Sequence, residues 1–351
     1  TKIIAEMAFI ECRNLTKISI PDKVELIGLS AFMGCSELSK VTFGKGLKKI
    51  GGGAFESCEK ITDIVIPDNV ITVEDMAFAF CKSLSSVTMG DGVTYIGTNA
   101  FFFCESLKTV ILGNNVEYVG EEVFTGCNEL QYNVFVDACY LGSTENPYLV
   151  LIKLASPSGA AVMPNGVKII AGGAYDGCDF VNITVMEGIT HIGPSAFRGC
   201  EYLKYLKLPD SLLYIGDRAF EGCLYLEDVT IPDSVTYIGS QAFSYCVNIT
   251  EIVIPDGVVD LGLSAFSDCS GLRKATVGNG VTEIDGLMFD RCTNLTDISF
   301  GENITRIGDG AFSECEKLNS VYYGGTESNW DKIKIESANE PLSNATIHYK
   351  S

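Results

Sequence analysis

Residues 246–269 read Cys246-Val-Asn-Ile249-Thr-Glu-Ile252-Val-Ile254-Pro255-Asp256-Gly-Val258-Val-Asp-Leu261-Gly262-Leu-Ser-Ala265-Phe266-Ser-Asp-Cys269, and variants of this stretch fill most of the chain. Thirteen of the fourteen cysteines mark its phase: Cys12, Cys35, Cys58, Cys81, Cys104 and Cys127, then Cys178, Cys200, Cys223, Cys246, Cys269, Cys292 and Cys315. Each step within the two runs is 23 residues, except the 22 between Cys178 and Cys200. A fixed period of this length marks a stacked array in which every repeat is one supersecondary unit.

Within the repeat, Ile252 and Ile254 alternate with polar or outward neighbours, the pattern of a half-buried strand. Pro255-Asp256 ends that strand, because proline donates no ladder hydrogen bond and aspartate satisfies turn amides. Pro21, Pro67, Pro209 and Pro232 stand at the same phase, and Gly44, Gly90, Gly113, Gly278 and Gly301 replace proline elsewhere. Phe266 and Cys269, three residues apart, predict one side of a helical turn. Too few residues remain for a long helix to carry the chain back. The expected fold is therefore an α/β repeat solenoid, with a parallel sheet on one face and short helical turns on the other. One rung cannot offset the entropy of ordering 23 residues, so neighbours must share strand hydrogen bonds and a continuous core.

We read one continuous domain: repeats over 1–136, an insertion over 137–158, repeats again over 159–320, and a cap over 321–351. Thr1 enters at the phase of Val24, so residues upstream of it are expected. Cys127 and Cys178 lie 51 residues apart, one period plus 28. Ala138-Cys139-Tyr140-Leu141 and Tyr148-Leu149-Val150-Leu151-Ile152 flank Gly-Ser-Thr-Glu-Asn-Pro and predict a β-hairpin. Such an excursion either packs on the solenoid or carries function, with Tyr140 and Tyr148 as candidates. In the cap the period is lost, the single tryptophan Trp330 occurs, and Ile333, Ile335, Ile347 and Tyr349 alternate like edge strands. A terminal cap shields the last rung from water.

The unit 231–246, Ile-Pro-Asp-Ser-Val-Thr-Tyr-Ile-Gly-Ser-Gln-Ala-Phe-Ser-Tyr-Cys, the interruption with Tyr140-Leu-Gly and Asn146-Pro-Tyr148, and the ending Gly324-Gly-Thr-Glu-Ser-Asn-Trp330 resemble the BspA-like, treponemal-type leucine-rich-repeat surface proteins of bacteria. The resemblance spans essentially the whole chain. It implies a right-handed leucine-rich-repeat superhelix, an extracellular location on the bacterial cell surface, and adhesion to host matrix or other bacterial surface proteins.

Forty-five acidic against 25 basic residues give a net charge of −20, the wrong sign for nucleic acid. The longest apolar candidate, Tyr148 to Ala155, is short and contains Lys153, so membrane insertion is not expected. The cysteines form no Cys-x-x-Cys pair, and we expect a ladder of buried free thiols behaving as small apolar residues. No catalytic residue, cofactor or metal site is predicted. His191 takes the slot that Tyr95, Tyr118, Tyr214 and Tyr237 fill in other rungs, and no nucleophile motif surrounds it or His348. The turn residues Asp22, Asp68, Asp210, Asp233 and Asp256 offer one carboxylate per rung, which suits turn chemistry better than calcium.

What remains is surface. The expected outward strand positions are Thr42, Val65, Thr88, Ile111 and Val134, then Lys207, Thr230, Val253, Thr276 and Ser299. Beside them runs the stripe Tyr95, Tyr118, His191, Tyr214 and Tyr237, which either docks a partner or stacks to stabilise the ladder. The sequence thus points to a monomeric, non-enzymatic recognition module for a protein ligand. The alternative is a spacer that presents another domain.

Overall fold

The computed structural model describes residues 1–155 and 162–350. Residues 156–158 of the expected insertion, 159–161 at the start of the second block, and Ser351 of the cap lie outside the described residues. The chain divides into two compact units, Thr1–Lys153 with Pro164–Gly172, and Leu154–Met163 with Gly173–Ser351.

In the first unit the rungs before the insertion contribute a strand to a parallel ladder before the turn, and a second, shorter strand after it. The early strands pair as Lys17–Ser19 with Lys40–Thr42, and as Asp63–Ile66, Ser86–Met89 and Thr109–Ile111 in succession. The later strands, Ile3–Ile4, Leu26–Ile27, Lys49–Ile50, Thr72–Val73, Tyr95–Ile96 and Tyr118–Val119, form one six-stranded parallel sheet. Register is a constant 23 residues, as in Ile64↔Val87 and Ile50↔Val73. The second unit repeats the plan. Asn182–Thr184, Tyr205–Lys207 and Asp228–Val229 form one early ladder, and Glu251–Ile254, Lys274–Val277, Asp297–Phe300, Ser320–Tyr323 and Thr346–Tyr349 form another. A sheet on one face alone therefore understates the rung, which carries two.

The predicted helical turns are not found in the repeats among the described residues. Among the described residues the helices are Glu327–Trp330 and Glu340–Asn344, both in the cap. The segment around each core phenylalanine is a run of tight turns. In the rung of Phe243, the amides of Gln241, Phe243 and Tyr245 donate to Leu263, Ala265 and Ser267 of the next rung at 2.9, 2.8 and 3.0 Å. The alternate amides of Ala242, Ser244 and Cys246 close local turns onto Gly239, Gln241 and Phe243. Gln241 and Tyr245 hold φ of 56° and 60°, and a left-handed residue two places either side of the phenylalanine breaks any helix. The physical reason is spacing. Strands stack about 4.8 Å apart, whereas helices with side chains are about 10 Å wide. Only a return segment as thin as a strand keeps pace with the sheets.

Inside each unit the phenylalanines form a column. Phe32, Phe55, Phe78 and Phe101 follow one another at centroid distances of 5.1, 5.3 and 5.4 Å, and Phe197, Phe220 and Phe243 at 5.2 and 5.1 Å. All are fully buried. The cysteines line the same interior, apart from the exposed Cys12, and they do more than fill space. Cys246 Sγ donates to the carbonyl of Phe220 in the preceding rung at 3.2 Å, and Cys58, Cys81 and Cys292 repeat the bond onto Phe32, Phe55 and Phe266 at the same distance. That carbonyl already accepts a turn amide, as Phe220 does from Cys223, so the thiol fills its second lone pair. The expectation of fourteen free thiols is corrected at one point. Cys178 and Cys200, at the 22-residue step, are bonded to each other.

Glycine recurs where rungs approach closely. A Cβ on Gly262 would lie 2.3 Å from the Ser240 nitrogen, so a side chain there requires the local backbone to shift.

The insertion enters the first unit's stack. Asn133–Phe135 pairs antiparallel with Ala138–Leu141, which neighbours Val150–Leu154. Val150 and Leu151 then pair in parallel with Ile169 and Ile170, and Gly172 N–H returns to Val119 O at 2.9 Å. Ala138, Tyr140, Leu141, Leu149 and Val150 are buried, so this segment packs as core.

At the other end, Asn339 replaces a rung. Its Oδ1 accepts the Phe312 amide at 3.0 Å, as a carbonyl of a further repeat would have done, and its Nδ2 donates to Gly308 O at 2.9 Å. Trp330 closes the interior between Phe300 and Tyr323, with centroids 6.2 and 5.3 Å away. Removing the Asn339 side chain leaves the buried Phe312 amide unpaired, so Asn339→Ala is expected to cost about 1–3 kcal/mol in denaturant melts. Burial also pushes the thiols of Cys81, Cys223, Cys269 and Cys315 up to about 12. In native protein iodoacetamide is therefore expected to modify Cys12 well ahead of these four, with peptide mass mapping as the readout.

Candidate functional site

The early strands expose one side chain in two, because neighbours along a strand face opposite ways. Ile252 and Ile254 are buried, whereas Val253 between them is 60% exposed. Register aligns these outward residues into columns. In the first unit Ser19 meets Thr42, and Val65 meets Thr88 and then Ile111. In the second, Thr184 meets Lys207, and Val253, Thr276, Ser299, Tyr322 and His348 follow one another over five strands. Hydroxyl and apolar residues fill the five-strand column, with His348 stacked on Tyr322 at 4.7 Å. Two residues upstream, Glu251, Lys274 and Asp297 alternate in charge along a parallel column.

One predicted member stands elsewhere, and one lies at the end of its ladder. Val134 is exposed but pairs antiparallel with Cys139, so it leaves the column that ends at Ile111. Thr230 is exposed just past the strand Asp228–Val229. Tyr140 is fully buried and presents no surface to a ligand. Tyr148 is half-buried, with its ring edge-on to Tyr140 at 5.6 Å.

The aromatic stripe lies on the later strands, a different sheet. Tyr95 and Tyr118 stack at 4.5 Å with planes 2° apart, and Tyr214 and Tyr237 at 4.4 Å and 5°. His191 continues the second stack 5.6 Å from Tyr214, and its Nδ1 meets Thr190 Oγ1 at 2.9 Å. These rings are half-buried and spend their faces on one another. Burial raises the Tyr237 phenol above its ordinary range.

Three tyrosines that the periodic reading passed over are more available. Tyr202 and Tyr225 are 55% and 53% exposed, parallel within 8° at 6.2 Å. Tyr205 faces out from its strand beneath Lys204, whose Nζ lies 5.3 Å from the ring centroid. Tyr202 and Tyr225 share a phase two residues after Cys200 and Cys223, a spacing that marks them as one column. Asn182, Thr184, Tyr205, Lys207, Asp228 and Thr230 line a shallow hollow on the same ladder.

Three of the turn aspartates serve the backbone of the next rung. Asp22, Asp68 and Asp256 each accept the amide of Lys45, Asp91 or Asn279 in the following rung, at 2.9, 3.3 and 2.6 Å. No group of three or more His, Cys, Asp or Glu able to hold a metal occurs among the described residues.

The family described as BspA type leucine rich repeat region matches in six copies over residues 2–131, 160–273 and 214–334. Solved structures with similarity include a leucine-rich repeat protein from Bacteroides ovatus, 26% identical over 99% of this chain and 87% of that one, with a TM-score of 0.48. Another is the T. pallidum leucine rich repeat protein, 28% identical over 54% and 91%, with a TM-score of 0.47. A leucine rich cell surface protein from Faecalibacterium prausnitzii is 27% identical over 95% and 86%, with a TM-score of 0.39. Comparison with curated proteins finds no match.

Because the stripe rings stack face to face, Tyr214→Ala is expected to lower stability by about 0.5–1.5 kcal/mol beyond the area it uncovers. Thermal melts of Tyr214→Ala, Tyr237→Ala and the double variant, taken as a cycle, measure that coupling.

Proposed function

This chain belongs to the BspA-type leucine-rich-repeat family, and on that premise we propose that it is a non-enzymatic recognition module that binds a protein ligand through the outward face of its early strands. Proteins of this family are generally involved in protein interaction or adhesion. The supporting observation is the five-strand column Val253, Thr276, Ser299, Tyr322 and His348, in register and free of Asp, Glu, Lys and Arg. Interface centres are depleted of charge and ringed by polar residues, and here the alternating Glu251, Lys274 and Asp297 form such a rim. Tyr202, Tyr205 and Tyr225 add exposed aromatic area of the kind that anchors partners. They replace the stacked stripe as the aromatic part of the surface.

Display on the outside of a bacterial cell is part of the same proposal, and it rests on family membership. No helix among the described residues is long and apolar enough to cross a membrane.

The test is saturable binding of the whole chain to a panel of purified host matrix proteins and to intact bacteria, with the variant Val253→Glu/Thr276→Glu beside it. Two like charges placed in the column are expected to weaken binding at least tenfold while the melting temperature stays unchanged. Equal binding by the variant removes the column from the account. Absence of saturable binding throughout favours the spacer reading.

A further inference from the structure

The third rung of the first unit reads Gly51-Gly52-Gly53 where its neighbours read Gly28-Leu29-Ser30 and Glu74-Asp75-Met76. Strand register runs Leu26↔Lys49↔Thr72 and Ile27↔Ile50↔Val73. Ser30 N–H donates to Gly52 O at 2.8 Å, and Gly53 N–H to Asp75 O at 2.9 Å. Gly52 therefore sits between Leu29 and Asp75, and Gly53 between Ser30 and Met76. Two consecutive side chains are missing from the column, and a groove of about 670 Å³ opens in their place.

Leu29, Met76 and Tyr95 give the groove its apolar walls, and Glu56, Glu74 and Asp75 line it with carboxylates. Their partners differ. Glu74 pairs with Lys49 and accepts the Gly52 amide at 3.1 Å. Asp75 accepts the Thr98 amide at 2.9 Å. Glu56 forms no ion pair among the described residues, and partial burial raises its pKa. With Lys49 matched to Glu74, the groove keeps an excess of negative charge from Glu56 and Asp75.

An apolar ligand would desolvate Glu56 without replacing its water, which is unfavourable, and an anion would meet two unmatched carboxylates. A lysine or arginine side chain fits both demands, since its methylene stem buries against apolar surface while its head stays charged. We propose that this groove takes a lysine or arginine side chain from a basic segment of a protein partner, with the stem against Leu29 and Met76 and the cation toward Glu56 and Asp75. The site is separate from the early-strand face, so either can fail without the other.

The experiment uses the full chain with ¹³C-labelled methyl groups, titrated with acetyl-Gly-Gly-Arg-Gly-Gly-amide and with the same peptide carrying neutral citrulline. Saturable shifts of the Leu29 and Met76 methyls are expected with the arginine peptide and not with the citrulline peptide. Gly52→Leu fills the groove without altering charge; its new Cβ meets only Leu29 Cδ1 at 3.1 Å and Asp75 O at 3.4 Å. It should abolish the shifts. Glu56→Gln should weaken binding about tenfold, the scale of a charge-assisted hydrogen bond, whereas Glu302→Gln in the second unit should leave it unchanged. The proposal is overturned by equal binding of the citrulline peptide, by shifts that follow Glu302→Gln as much as Glu56→Gln, or by binding that survives Gly52→Leu.

Discussion

The interaction on which the rest depends is the backbone hydrogen bond between equivalent residues of successive rungs. It is made on all sides of the coil: along the early strands, along the later strands, and at every second amide of the turn that holds the core phenylalanine. Such bonding leaves no room for a helix, since strand pairing fixes the rise at about 4.8 Å. Left-handed residues flanking the phenylalanine, such as Gln241 and Tyr245, are the local consequence. They cost about 1–2 kcal/mol each relative to a relaxed backbone, and the shared bonds of the stack hold them in place.

The interior follows from the same constraint. Identical phases superimpose, so phenylalanine stacks on phenylalanine and the buried repeat thiols, such as Cys58 and Cys246, come under the carbonyl of the rung before. Cysteine suits that position because it is small and apolar yet carries a weak donor. The carbonyl it meets has one lone pair already used by a turn amide. The Phe312 amide at the cap needs a substitute for the carbonyl of a next rung, and Asn339 supplies it with its side-chain oxygen.

The surface is what repetition leaves over. A BspA-type repeat presents the same outward position once per rung, so chemistry accumulates in columns: hydroxyl and apolar on the early strands, charge beside it, stacked tyrosine on the later strands. Departures from the repeat create the singular features. Gly51-Gly52-Gly53 opens a groove by omission, and tyrosine at two successive positions after the cysteine makes an exposed pair.

The period, the two breaks in it and the burial of the Ile, Phe and Cys phases were legible in the residues themselves, because spacing along a chain maps directly onto stacking when units repeat. The family was legible for the same reason. Other features were decided only in three dimensions. Phe-x-x-Cys has helical spacing, and only the stacking distance shows that the segment must turn instead. Tyr140 and Tyr202 are the same residue type, yet one is buried inside the insertion and the other stands in solvent, since exposure depends on which neighbours the fold brings across. Likewise, nothing in the spacing of the three glycines marks a groove until the flanking rungs place Leu29, Met76 and Glu56 around the space they leave.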